Sequence, residues 1–399
     1  MPHPSTPPTA GRVGDVRRQN LALVLAGIHR NGGVTRAGLA ADSGLTKASV
    51  SSLVADLLES GLVCEDSIAR DGERGRPGTG LVLNPARGAL AAEINVDHLA
   101  VGVLDFAGQL SFHESLERRN RGSRPGELLP LLVDMAERAA AAAAASGIEL
   151  LGGELTVPGL VDAERNVVLS APNLGWAGVD LSGELPKLLP GAPFGVSLSN
   201  EANSAALAEL WHGHGAVFPD FLYVSGEVGV GGGLVVGRRL FAGPQGHAGE
   251  IGHMVVHPEG PPCACGGRGC LETFAGQDAI YSAAGIEQDP PRMGRLLNRL
   301  SDGDEGAVSA VEQAGRYLGI AVASTARVAN VSAVVLGGHF AALQEWIAPA
   351  LCQSLEHYAP GLVPGGNVVF SGLGQTGALI GAAATSVRRI LGSPYELIP

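Results

Sequence analysis

From Val16 to Ile28 apolar residues recur at helical spacing, with Val16, Leu21, Val24, Leu25 and Ile28 on one stripe. Asn31-Gly32-Gly33 predicts the end of that helix. Thr35 is placed to cap a short second helix through Leu39 and Ala41, and Ser43-Gly44-Leu45 reads as a tight turn. Thr46 caps a third helix that turns Val50, Leu53, Val54 and Leu57 to one side. Gly61 stops it. Leu62-Val63 then opens a strand, and Gly80 to Asn84 reads as its return after a loop rich in Arg and Gly.

After Pro85 the pattern changes. Short apolar strands at 90–96, 99–104 and 108–116 predict a meander, and 126–145 an Ala-rich helix. Strands follow at 150–157 and 194–198, then a helix through Trp211. Strands at 221–225 and 233–237 flank a Gly-rich turn, and 246–276 holds most of the Cys. Helices near 278–328, a strand at 333–336, a helix at 340–357, a strand at 367–371 and a helix at 375–391 complete the reading. Alternating strands and helices after an opening meander predict α/β lobes.

The composition supports a folded body: 45% hydrophobic and 17% charged residues in 399, with only 4% aromatic, so Ala, Val and Leu must fill the cores. Residues 1–14 are Pro/Thr-rich and read as a disordered tail without the layout of a secretory signal. No apolar run reaches the roughly 18 residues that span a membrane. Five Cys exclude a disulfide scaffold and predict a reducing cytoplasm. The first 88 residues carry 10 Lys/Arg against 8 Asp/Glu, and the remainder 17 against 31. A slightly basic head on an acidic body points to nucleic acid at one end.

Three helices followed by a basic hairpin fit a winged helix-turn-helix. Lys47, Ser49, Ser51 and Ser52 are left outward on the third helix, where small polar groups reach base edges or phosphates in a major groove about 12 Å wide. Arg74 and Arg76 lie in the Gly-Arg-Pro loop between the two strands and suit phosphates or a minor groove. The competing reading is a three-helix protein-contact module.

A second motif is H-x9-C-x-C-x4-C, made by His253, Cys263, Cys265 and Cys270. Three thiolates and one imidazole form a closed tetrahedral set for a structural Zn²⁺, and Gly266, Gly267 and Gly269 let the chain wrap an ion. His257 is a rival ligand and His247 a weaker one. Asn200, Glu201, Glu250 and Glu272 follow apolar strands or sit in loops, where α/β lobes present ligand-binding groups. Taken singly, each reads as a surface polar group.

AGEIGH at 248–253 and CACGGRGCLE at 263–272, with VPGLVD at 157–162, PNLGW at 172–176, NEAN at 200–203 and VLGGH at 335–339, resemble the ROK family of bacterial sugar kinases and sugar-responsive repressors. The winged helix in front resembles the repressor branch. The resemblance implies a two-lobed actin-like, hexokinase-type (ribonuclease-H-like) body. The domains expected are a winged helix at 15–86 and a sugar-binding domain at 87–399. Within it, one lobe takes about 87–198 plus the helix 375–392, and the other about 199–374.

The resemblance further implies that Asn200, Glu201, Glu250, His253 and Glu272 contact a sugar. Where the family's kinases have an Asp-x-Gly-Gly-Thr phosphate loop, this chain has Glu93-Ile94-Asn95-Val96-Asp97. Glu201 replaces the catalytic Asp, and Gly226-Glu227-Val228 replaces a second phosphate loop. These departures predict no catalysis. The implied function is a regulator, with repression favoured, on double-stranded palindromic operator DNA. A sugar or sugar phosphate would switch it. It would act as a homodimer or homotetramer in the cytoplasm, associated with the nucleoid when DNA-bound. The rivals are an active sugar kinase carrying a DNA-binding head and a sugar-blind architectural DNA-binding protein.

Overall fold

A computed structural model describes residues 13–67, 79–287 and 291–398. The expected tail therefore lies outside the described residues up to residue 12, and the first helix, Val13–Asn31, already begins within the remainder of it. Helices Arg36–Ser43 and Lys47–Glu59 follow, each capped by the threonine expected: Thr35 accepts from Gly38 N, and Thr46 from Ser49 N at 3.1 Å. The left-handed Gly44 makes the turn between them. Val63–Ser67 and Thr79–Leu83 pair antiparallel, Val63 opposite Leu83. Leu21, Leu25, Ile28, Leu39, Val50 and Leu57 are buried together, so the helical stripes meet, but Val16 of the expected stripe is exposed near the helix start.

Two five-stranded sheets build the rest. In the first, the spatial order is Val196–Asn200, Glu149–Val157, Arg87–Ile94, His98–Asp105, Leu110–Glu117. The first three strands run parallel and the last three form the antiparallel meander. In the second, the order is Arg239–Leu240, Val230–Val236, Phe221–Gly226, Val334–Gly338, Val368–Phe370, with the same division into antiparallel and parallel pairs. Each sheet packs helices on its faces and has its own apolar core. Helix Gly377–Gly392 lies on the first sheet, and helix Glu201–His212 packs both against it and against the second sheet. This is the actin-like, hexokinase-type architecture. A small antiparallel sheet of Leu160–Asp162, Val167–Ala171 and Trp176–Asp180 was not foreseen. Its strands are short and separated by turns, so no apolar period develops.

The head is not on a free tether. Leu21 and Leu25 share one buried cluster with Phe106, Leu151, Ile390 and Leu391 of the body. Arg87, at the start of a body strand, donates to the carbonyls of Gly61 at 3.3 Å and Ser60 at 3.1 Å, and pairs with Glu149. Gly61 has φ +69°, and a Cβ there would meet the Arg87 guanidinium at 2.7 Å. Glycine is thus needed both for the turn and for the approach of the arginine. Among the described residues no helix is long and apolar enough to cross a membrane.

Candidate functional site

The two sheets leave a cleft between them, lined by Asn95, Asn173, Asn200 and Glu201 from one side and Glu227, Glu250, His253 and Glu272 from the other. All five residues expected at a sugar converge on it. Asn200 ends a strand and caps the next helix: its Oδ1 accepts from Asn203 N at 2.8 Å, and its Nδ2 donates to Gly159 O at 2.7 Å. Its amide therefore shapes the wall. Glu201 opens that helix, 9% exposed, and accepts from Asn95 Nδ2 at 3.1 Å. Glu272 accepts from Asn173 Nδ2 at 3.2 Å. A Cβ on Gly229 would come within 2.0 Å of Glu272 Oε2, so a side chain there would push this carboxylate aside.

His253, Cys263, Cys265 and Cys270 also come together, with one ligand atom from each within 4.8 Å of the others. Cys263 Sγ is 3.7 Å from His253 Nδ1, and Cys265 Sγ is 3.8 Å from Cys270 Sγ. Ligands on a tetrahedral Zn²⁺, with bonds of about 2.3 Å to sulfur and 2.0–2.1 Å to nitrogen, stand roughly 3.6–3.8 Å apart. The donor set and its spacing fit that ion. His257 turns away and packs its ring near Phe274 and Tyr317. His247 does not belong to the group either.

The His253 ring joins the two features. Nδ1 faces the thiols while Nε2 lies 4.0 Å from Glu250 Oε2, on the cleft. A metal on Nδ1 leaves the neutral ring's proton on Nε2, as a donor aimed into the cleft. Burial raises the Glu250 carboxyl above its usual range, and nearby Glu272 adds to this.

Buried carboxyls gather at the base of the cleft, with Glu201 and Glu227 lining it and Glu93 close to both. Glu93 is 2% exposed and leaves Oε2 without a hydrogen-bond partner; its Oε1 lies 3.4 Å from His98 Nε2. Burial, then repulsion from Glu93 and Glu227, pushes Glu201 well above the normal carboxylate range. Burial and Glu93 raise Glu227 to about 7. Asp97, at the end of the altered phosphate loop, lies 3.8 Å from Arg292. The signal for Asn95 and Glu227 lay in the altered phosphate loops. Asn173 lay unremarked inside the PNLGW motif.

In the head, Lys47, Ser49, Ser51 and Ser52 are all exposed on the third helix, while Val50, Leu53, Val54 and Leu57 are buried behind them. Ser49 Oγ is 2.9 Å from Thr46 Oγ1, so that hydroxyl is shared with the helix cap. Arg74 and Arg76 lie outside the described residues.

The family comparison agrees with this geometry. The ROK family profile matches residues 90–388. The xylose repressor of Caldicellulosiruptor bescii is 30% identical over 338 residues, which is 81% of this chain and 83% of the repressor. A glucokinase of Halalkalibacterium halodurans is 33% identical over 252 residues, covering 58% of this chain and 75% of the kinase. Among solved structures, a ROK family transcriptional regulator described as a homologue of the E. coli MLC protein superposes with a TM-score of 0.79 at 25% identity. That match covers 96% of this chain and 98% of the regulator.

Proposed function

Because the chain belongs to the ROK family, we propose that it is a sugar-responsive transcriptional regulator, favouring repression. The observation that carries this reading is His253, which faces the thiol cluster with one nitrogen and the carboxylate-lined cleft with the other. In this reading Zn²⁺ is structural, held by His253, Cys263, Cys265 and Cys270 with no position left for a reacting water. It orients His253 beside Glu250 and Glu272. Glu201, Glu250 and Glu272 accept from sugar hydroxyls, His253 Nε2–H donates, and Asn200 positions the wall. The effector class is a sugar or sugar phosphate.

The winged helix at 15–86 binds operator DNA. The third helix presents Lys47, Ser49, Ser51 and Ser52 to the groove, and Arg74 and Arg76 act from the wing. A palindromic operator implies a dimer or a pair of dimers, acting in the cytoplasm and on the nucleoid. In this reading the body divides into one lobe of about 87–198 plus the helix 375–392 and another of about 199–374. Sugar binding biases lobe closure. The shared core of Leu25, Phe106 and Ile390, together with Arg87, passes that bias to the head. A coupling of about 1–3 kcal/mol suffices to change occupancy.

The glucokinase likeness favours one rival, an active sugar kinase with a DNA-binding head. The Glu93, Glu201 and Glu227 cluster speaks against it. Glu93 already raises the protonation range of Glu201 and Glu227 there, and a nucleotide's phosphates would add further negative charge to the same poorly solvated region. The test pairs a melting-shift screen of xylose, glucose and N-acetylglucosamine with ATP consumption on the same sugars. A sugar-induced shift without ATP turnover supports the regulator; turnover on the ~1–10³ per second scale of enzymes establishes the kinase.

A further inference from the structure

A second cleft, of about 970 Å³, opens between the head and the body and is separate from the sugar cleft. One wall is the end of the first head helix with Leu83 and Pro85. The other is the Leu104–Gly108 turn, the end of helix Glu201–His212, and the last turns of helix Gly377–Gly392. Its charge runs against that of the chain as a whole, which has a formal net charge of −12. His29 and Arg30 of the head face His212, Arg238 and Arg388 of the body, with Asp66 and Asp105 as the acids among the lining residues.

The acids do not neutralise this group. Asp105 Oδ1 accepts from Gln109 N at 2.9 Å within its own turn, and no ion pair joins Asp66 or Asp105 to the cations. Arg388 lies 4.1 Å above the Trp211 ring, which fixes its guanidinium plane. No ion pair engages Arg388, His29 or His212 among the described residues. His29 and His212 lie in the last turns of their helices as rings that can donate N–H, and Arg388 is a cation without an ion-pair partner among the described residues. The crowding is felt: burial, then Arg388, lowers the basicity of both histidines, and His212 lowers that of His29 further.

We infer that this joint is a binding site for a small phosphate-bearing metabolite, bridging His29 of the head to His212 and Arg388 of the body. A tetrahedral dianion offers acceptors to two ring N–H groups and a guanidinium at once, and charge-assisted bonds of this kind are the strong ones. The cleft volume suits a small molecule. A rigid DNA duplex cannot enter a cleft walled on both sides. The consequence is a second input: a bound phosphate ester clamps the head to the body and changes operator occupancy without touching the sugar cleft.

The experiment uses the full chain at fixed ionic strength. Inorganic phosphate and glycerol 3-phosphate are titrated separately, read by calorimetry and by the histidine imidazole resonances. Wild type is compared with Arg388→Gln, His212→Gln and the remote control Lys187→Gln. The expected result is one saturable site per chain, weakened at least about tenfold in both cleft variants and unchanged in the control. His29 and His212 become more basic as the anion fills. Tighter binding of glycerol 3-phosphate would identify an ester ligand; equal binding would identify phosphate itself, and either supports the site. Absence of saturation up to about 10 mM, or equal affinity in wild type and both variants, overturns it. A phosphate-independent loss of DNA affinity in Arg388→Gln, with a salt slope smaller by ~1, would instead assign the cations to the DNA backbone and also overturns it.

Discussion

His253 and Cys263 meet with Nδ1 and Sγ 3.7 Å apart, while the other nitrogen of the same imidazole stands 4.0 Å from Glu250 Oε2. Metal site and ligand cleft therefore share one ring. In the proposed reading a Zn²⁺ on Nδ1 would hold that ring in place, so sugar affinity should depend on the ion.

Cys265→Ala should lose the metal while leaving the cleft carboxylates in place. Cys265 is exposed and does not line the cleft. Elemental analysis of the wild type should find one Zn per chain, and of the variant far less. Sugar affinity should fall at least tenfold, about 1.4 kcal/mol. A metal-free variant with full sugar affinity would sever the link drawn through His253.

Glu250→Ala and Glu272→Ala should each cost sugar binding about 1–3 kcal/mol, the loss expected when a buried hydroxyl forfeits its acceptor. Operator binding without sugar should be unchanged, because both residues are remote from the head. Calorimetry reads the first quantity and fluorescence anisotropy the second. Unchanged sugar affinity in both variants would place the pocket elsewhere.

The acidic floor predicts a pH dependence. In the unfolded chain Glu227 titrates near 4.5; in the fold, burial and Glu93 raise it to about 7. The native state thus holds an extra proton between those values, and stability falls as pH rises through that window. Glu227→Gln removes the penalty. Its melting temperature should exceed the wild type's at pH 8 and converge with it near pH 5. In a domain of this size each kcal/mol is worth roughly 2–4 °C. A gap that is constant with pH would contradict the cause given.

Much of this was legible in the chain. The head's stripes, its two threonine caps and the turn glycines predict its elements closely, because each rests on a local rule of spacing or capping. The His253, Cys263, Cys265 and Cys270 cluster was legible for the same reason: it falls within 18 consecutive positions with glycines between. The 160–180 sheet was not, because its short strands bury few side chains. Nor was the floor of Glu93, Glu201 and Glu227. These three are distant in sequence and meet only when strand Arg87–Ile94 and strand Phe221–Gly226 are brought to one cleft. The head–body joint shows the same limit. Arg87 precedes the strand expected at 90–96, and its carbonyl partners at Gly61 and Ser60 come near only in the folded chain.

That joint yields its own prediction. Arg87→Ala removes bonds to two carbonyls and the pairing with Glu149, leaving the Leu25 and Phe106 contact to carry the head. The head should still bind DNA, but the sugar-induced change in operator affinity should shrink by at least about 1 kcal/mol. Anisotropy with and without sugar measures it, and an undiminished response would show that coupling runs elsewhere.

On the third helix, Lys47→Ala should weaken binding to all DNA alike and lower the salt slope by ~1, as loss of a phosphate contact does. Ser52→Ala should instead alter which sequences are selected, because base edges carry the code. Selection from a random duplex library separates the two. Identical sequence preferences and salt slopes in both variants would remove this face from the interface.

The central claim is that one chain reads a sugar in the body and reports it through the head. The most direct measurement is the affinity of the full chain for an operator selected from random duplexes, taken with and without the sugar that shifts its melting temperature, in the presence of ATP. The account predicts that the sugar changes operator affinity at least tenfold, about 1.4 kcal/mol, while ATP is not consumed. An operator affinity indifferent to every sugar that binds, or phosphorylation of that sugar at an enzymatic rate, would contradict it.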